Sequence, residues 1–307
     1  MDAFKNLSEK HLKKMRDAAT EMFGDSPEFI IGVNGSIARR EATSGSDVDL
    51  FFLSLNGNPA LLEPLQLQFR NKLIELGLKL PATDGVFETP HSTANTLHTI
   101  GGDDDRNEII TRRMLILLEG EWIYNESAFS EFRKELIGRY INGVTEDSKI
   151  CLFLLNDIIR YWRTICVDFE HKTEDGLKPR AIRIIKLRFS RMLLYFAGVL
   201  AVAETHGKNY QKKKAELERL LALPPIERIQ DVLEKTFDPV RALYFEFLVS
   251  LDTADIRKEL ELPGKTGEDT KEFKDLSEKA REFKDKLTTL LIDHYGMDHP
   301  VVKALLF

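Results

Sequence analysis

The chain has 307 residues, of which 43% are hydrophobic and 31% charged; this is enough for one large or two ordinary domains and excludes disorder along the whole length. Lys and Arg number 44 against 50 Asp and Glu, a formal charge of −6, which argues against a general nucleic-acid coat and leaves room for a local basic patch. Met1-Asp2-Ala3-Phe4-Lys5 is not a basic segment followed by an apolar run, and no stretch of about 18 apolar residues occurs. A cytoplasmic protein with no signal peptide and no membrane partner is therefore expected. Cys151 and Cys166 fall in one apparent helix, roughly 22 Å apart at about 1.5 Å per residue, too far for a disulfide. Free thiols fit a reducing compartment.

In chain order, Ser8 is placed to cap a first helix carrying Leu12, Met15, Ala19, Met22 and Phe23 at helical spacing, ended by Gly24 and Pro27. Phe29-Ile30-Ile31-Gly32-Val33 reads as a buried strand, 35–41 as a turn with a short helix, and Val48 to Leu53 as a second strand. Leu61 to Leu76 has a helical pattern, Gly85 to Thr89 before Pro90 fits a third strand, and Arg106 to Glu119 reads as a helix. Asp103-Asp104-Asp105, after Gly101-Gly102, reads as a solvated loop or helix cap. After about residue 140 strand signals vanish. Helices are expected from Asp147 or Ser148 to about Glu170, from Pro179 to about Glu204, and over Tyr210–Leu221, Ile226–Thr236, Pro239–Leu251 and Glu272–Tyr295. The expected architecture is α+β: a small mixed-sheet domain over 1–140, then an all-α helical bundle over 141–307.

The chemistry concentrates in Gly32-Val33-Asn34-Gly35-Ser36, followed after ten residues by Asp47-Val48-Asp49-Leu50-Phe51-Phe52. Carboxylates at i and i+2 on a strand face the same way. Their repulsion is unfavourable unless cations neutralise it. Mg²⁺ suits carboxylate oxygens and keeps positions for phosphate and water. A Gly-Ser turn opening a short helix lets phosphate approach backbone N–H groups. Together these describe a site for a metal-bound nucleoside triphosphate.

The arrangement resembles the nucleotidyltransferase superfamily of polymerase-β-like fold: a strand, Gly-Ser, about ten residues, then Asp-x-Asp on the next strand. Gly35, Ser36, Asp47 and Asp49 match it residue by residue. Within that superfamily the chain is similar to the nucleotidyltransferase domain of protein-PII uridylyltransferases and their stand-alone relatives, through His91-Ser92, the run Arg112 to Glu121 and Leu223-Pro224-Pro225-Ile226-Glu227-Arg228. Their histidine-rich hydrolase signature and ligand-sensing domains have no counterpart here. The resemblance implies transfer of a nucleoside monophosphate from an NTP to an acceptor hydroxyl, with Asp47 and Asp49 binding two Mg²⁺ and Gly35 and Ser36 holding phosphates. The acceptor, whether protein, RNA or small molecule, is not identified. The superfamily's third carboxylate is assigned to Glu88, with Asp84 as the alternative. Two rivals remain: a toxin or defence component acting on tRNA, and a non-catalytic nucleotide- or protein-binding module.

The helical half adds two features. Asn156, Arg160 and Arg163 share one stripe of a largely apolar helix, so buried arginines facing a triphosphate are expected, or arginines paired with Asp157 or Glu119. From Gly176 to Ala203 there are six basic residues and no acid. Ile182, Ile185, Phe189, Met192, Leu193 and Phe196 fall on one side of that helix and Arg180, Arg183, Arg188 and Arg191 on the other. Arg183 and Lys186 are the candidates to reach a phosphate. Lys212-Lys213-Lys214 reads as a solvated helix face, and Gly264-Lys265-Thr266 lacks the Walker glycine because position 259 is Glu.

Overall fold

The computed structural model describes residues 1–81, 85–141, 146–174 (backbone only for 171–174) and 179–306. It is mostly helical with a small four-stranded mixed sheet, and it divides into two compact units, Met1–Asn142 and Gly143–Phe307.

The first unit runs α1 (Asp2–Phe23), β1 (Phe29–Asn34), α2 (Gly35–Ala38), β2 (Asp49–Ser54), α3 (Glu63–Glu75), β3 (His91–Ser92), α4 (Thr93–His98), α5 (Asn107–Leu118), β4 (Glu121–Tyr124) and α6 (Glu126–Tyr140). The sheet order is β3-β2-β1-β4. β1 lies antiparallel to both β2 and β4, and β3 is parallel to β2. Every residue of β1 is buried, as its unbroken apolar run requires of a strand covered on both faces. Phe29, Ile31 and Val33 join Leu50 and Phe52 in a core with Leu12, Met15 and Ala19 of α1 and Phe69 and Leu73 of α3. On the other face the Phe51 ring lies across Gly32, where any Cβ would stand 2.0 Å from it, and packs toward Phe129 of α6. Gly32 is therefore a close-approach glycine inside a strand.

Three expectations are corrected in this unit. The first helix begins at Asp2, not after Ser8; Ser8 is buried within it, its hydroxyl donating to the Phe4 carbonyl and accepting from the Ala42 N–H. Residues 85–89 form turns, and the third strand is His91–Ser92, paired with Leu53 and Ser54. A buried proline, Pro90, separates the two, and the side chains on either side pin the turn rather than extend it. Both His91 Nε2 and Arg112 Nε donate to the Val86 carbonyl, at 3.1 and 2.7 Å. In the acidic run Asp103 and Asp104 are exposed, but Asp105 is fully buried and bridges both terminal nitrogens of the fully buried Arg113, at 3.0 and 2.9 Å.

In the second unit every described element is helical: α7 (Leu152–Glu174), α8 (Arg180–Lys186), a π-helical turn over Leu187–Arg191, α9 (Met192–Ala203), α10 (Tyr210–Ala222), α11 (Pro225–Leu233), α12 (Asp238–Asp252), α13 (Ala254–Leu260), α14 (Lys271–Tyr295) and α15 (Pro300–Leu306). The apolar α9 packs against α7, α10, α11 and α15 and is buried along nearly its whole length. No described helix is long and apolar enough to cross a membrane.

Candidate functional site

β1 delivers the chain to Asn34, directly opposite Asp49 in the β1–β2 register. The chain then turns at Gly35, whose φ of +77° is open to glycine at little cost. A second constraint acts on the same residue. A Cβ at position 35 would stand 2.4 Å from Asp49 Oδ2, so the carboxylate occupies the space that any other residue would fill. Asp47 and Asp49 are both partly exposed. β2 begins at Asp49 and Asp47 precedes it by two residues, with the Val48 N–H held by the Lys79 carbonyl at 2.8 Å.

The loop between the Gly-Ser turn and the aspartates folds back on α2. Ser36 Oγ donates to Ser46 Oγ at 2.8 Å, which also accepts the Thr43 N–H at 2.9 Å. Arg39, almost wholly buried, lies between two fully buried carboxylates: its Nε reaches Glu41 at 2.9 Å and its Nη1 reaches Glu119 at 2.5 Å. Glu119 also accepts the Gly35 N–H at 3.2 Å. One carboxylate at the end of α5 thus ties down both the turn and the following loop. Removing one member of such a buried group leaves a charge uncompensated, at about 3–5 kcal/mol.

Asn34 completes the picture. It is 3% exposed, and neither atom of its side-chain amide has a hydrogen-bond partner among the described residues. A buried amide without partners is costly, and this one lies next to Gly35 and across from Asp49. Asn34, Arg39, Glu41 and Glu119 were not singled out by sequence reasoning. In the sequence Glu119 enters only within the run Arg112 to Glu121 and as a partner for arginines of the helical half. Its separation from Gly35 along the chain leaves no local signal of their contact.

The other candidates are placed differently. Glu88 is exposed in the turn over 85–89, its N–H donating to the Gly85 carbonyl. Asp84 lies outside the described residues. Among the described residues no three His, Cys, Asp or Glu side chains come together to hold a metal, so Asp47, Asp49 and Glu88 do not form a preassembled trio. Two carboxylates still suit Mg²⁺, which commonly takes one or two together with phosphate oxygens and waters.

In the second unit Asn156, Arg160 and Arg163 are exposed on α7, not buried. Arg160 pairs with the buried Asp157 at 3.1 Å, because the stripe facing the core at this level is the one carrying Leu154, Leu155, Ile158 and Tyr161. Arg183 is half-buried and Lys186 exposed. Within the basic face that contains them Arg180 is neutralised by Glu170 and Glu268, at 3.1 and 3.0 Å, and Arg188 donates to the Ser277 hydroxyl at 3.2 Å. The π-helical turn shifts the register inside this helix.

Lys213 also departs from expectation. It is fully buried, and its ammonium donates to the carbonyls of Asp147, Lys149 and Thr205 at 3.0, 2.7 and 3.0 Å. Comparison with protein-family models and with curated proteins finds no match to this chain.

Proposed function

We propose that the first unit is the catalytic part of a Mg²⁺-dependent nucleotidyltransferase. The observation that carries the reading is the contact between Gly35 and Asp49: a left-handed glycine whose missing side chain leaves room for a carboxylate. It brings the turn and the acidic strand into one place, where a triphosphate and its metal would both be held. Asp47 and Asp49 would hold the Mg²⁺, whose charge offsets that of the phosphates. The partnerless amide of Asn34 offers a donor and an acceptor at the same point. The acceptor hydroxyl gives its proton to solvent water, its oxygen bonds to the α-phosphorus, the bond from that phosphorus to the oxygen bridging to the β-phosphate breaks, and pyrophosphate leaves with that electron pair. Glu88 is given no step.

A second reading is favoured by a specific observation. The Gly35 N–H is already taken by Glu119 and the Ser36 hydroxyl by Ser46, two groups expected to hold phosphate. A unit that holds nucleotide through the metal and Asn34 alone, without these donors aligning the triphosphate for attack, would tolerate that arrangement. One experiment separates the readings. The full chain is incubated with Mg²⁺ and α-labelled NTPs in the presence of total protein or total RNA, and pyrophosphate release is followed alongside calorimetric NTP binding. Label transfer that is lost in Asp47→Asn and Asp49→Asn, with folding intact, supports the enzyme. Binding without transfer supports the binding module, and no NTP binding overturns both.

A further inference from the structure

The second unit contains an apolar cavity of about 400 Å³, within the range of about 300–1,000 Å³ typical of small-molecule sites. Helices α7, α9, α14 and α15 all contribute to its wall. Trp162 and Tyr195 form part of it as a stacked pair, ring centres 5.3 Å apart. At its edge Met297 and Leu306 remain 55% and 63% exposed, apolar surface that a ligand would cover. Among the described residues no Asp or Glu lines the cavity, and the one charged lining residue is Lys284. Among the described residues the Lys284 ammonium has no ion-pair partner, whereas Lys279 and Lys286 on the same helix pair with Glu246 and Glu282. A second cation, Arg163, follows Trp162 on α7, and its charge acts on the half-buried Tyr195 hydroxyl.

We infer that this cavity is a binding site for an amphipathic aliphatic monocarboxylate, with the chain among the apolar walls and the carboxylate at Lys284. At about 30 Å³ for a group the size of a water molecule, the space takes roughly a dozen methylenes. A ligand of that length has one charged end and needs one cation at the mouth. The inference stands apart from the nucleotide reading, since every residue it uses belongs to the second unit.

Sodium decanoate and decylammonium chloride, each well below micelle formation, are titrated calorimetrically into the full chain. Decanoate is expected to bind at a single site and at least tenfold more tightly than decylammonium. Lys284→Glu, an exposed substitution, is expected to reverse that order. Leu291→Trp, which fills the cavity, is expected to abolish binding of both. Should that variant fail to fold, the charge reversal alone decides. Absence of saturable binding, equal binding of the two probes, several equivalent sites, or an order of preference unchanged in Lys284→Glu would each overturn the inference.

Discussion

Gly35 carries two constraints at once, a positive φ and a carboxylate where its Cβ would be. Gly35→Ala is therefore expected to cost about 1–2 kcal/mol from the left-handed backbone and to push the Asp49 carboxylate aside. The melting temperature should fall by several degrees and Mg²⁺-dependent NTP binding should weaken at least tenfold, both read by calorimetry. Lys213 shows the opposite relation between appearance and role. It stands in a run of three lysines, yet its ammonium closes the space between the chain before α7, the end of α9 and the start of α10. Burial lowers its pKa, while three carbonyls satisfy all its protons. Lys213→Met would leave those carbonyls unpaired, at about 1–3 kcal/mol for a buried group, so chemical denaturation should show a loss of at least about 2 kcal/mol. Lys212→Ala and Lys214→Ala should stay within about 0.5 kcal/mol, since Lys212 is exposed and Lys214 makes only a loose pair with Glu218 at 3.8 Å.

At the scale of elements, β3 is the shortest piece of the sheet and its position depends on side chains outside it. His91 donates to the Val86 carbonyl beside Arg112. Burial, with the Arg112 charge second, pushes its pKa from the ordinary 6.5 down to about 4. The folded chain therefore binds fewer protons at this ring than the unfolded chain between those two values. Its contribution to stability is complete above pH 6.5 and is lost as pH falls toward 4. Urea midpoints measured across that window should decline with falling pH, and His91→Gln should flatten the decline. An equal slope in the variant would place the titrating group elsewhere. The same anchoring explains why 85–89 is not a strand despite Val86 and Phe87: the Val86 carbonyl is spent on His91 and Arg112, and Phe87 packs its ring on Phe51, 5.2 Å between centres. β4 escaped sequence reasoning because it has four residues and follows a glycine. Its pairing with β1 is supported by Arg16, whose guanidinium lies 3.6 Å over the Trp122 ring and bonds Glu121 at 2.8 Å.

At the scale of the molecule, the two compact units each have buried residues of their own. The first unit's core joins α1 and α3 to the sheet. The second has a buried α9 and an aromatic cluster in which Phe189 stacks on Phe247 at 4.5 Å and approaches Phe283 at 5.1 Å. A unit with its own core can in principle fold alone. Residues 1–142 produced alone are expected to unfold cooperatively and to bind Mg²⁺-NTP within about threefold of the full chain, a difference below about 1 kcal/mol. Loss of binding in a folded fragment would mean that groups beyond residue 142 take part, and Arg163, Arg183 and Lys186 would return as candidates.

The sequence by itself determined the local periodicities and the glycine turn at Gly35. The unbroken apolar run of β1, the Gly35-Ser36 turn, the Asp47 and Asp49 spacing and the helical period from α7 onward all follow from residues a few positions apart, where side-chain direction obeys the period of the element. What residues far apart do to one another was decided only by tertiary structure. Glu119 takes the Gly35 N–H and Arg39, Lys213 turns inward to carbonyls of two other segments, and Lys284 comes to border a cavity walled by four helices. A charged residue in a helix has the same local pattern whether it meets water, a carbonyl or a carboxylate. Its partner is set by which elements pack against it, and that depends on the whole core rather than on its neighbours in the chain.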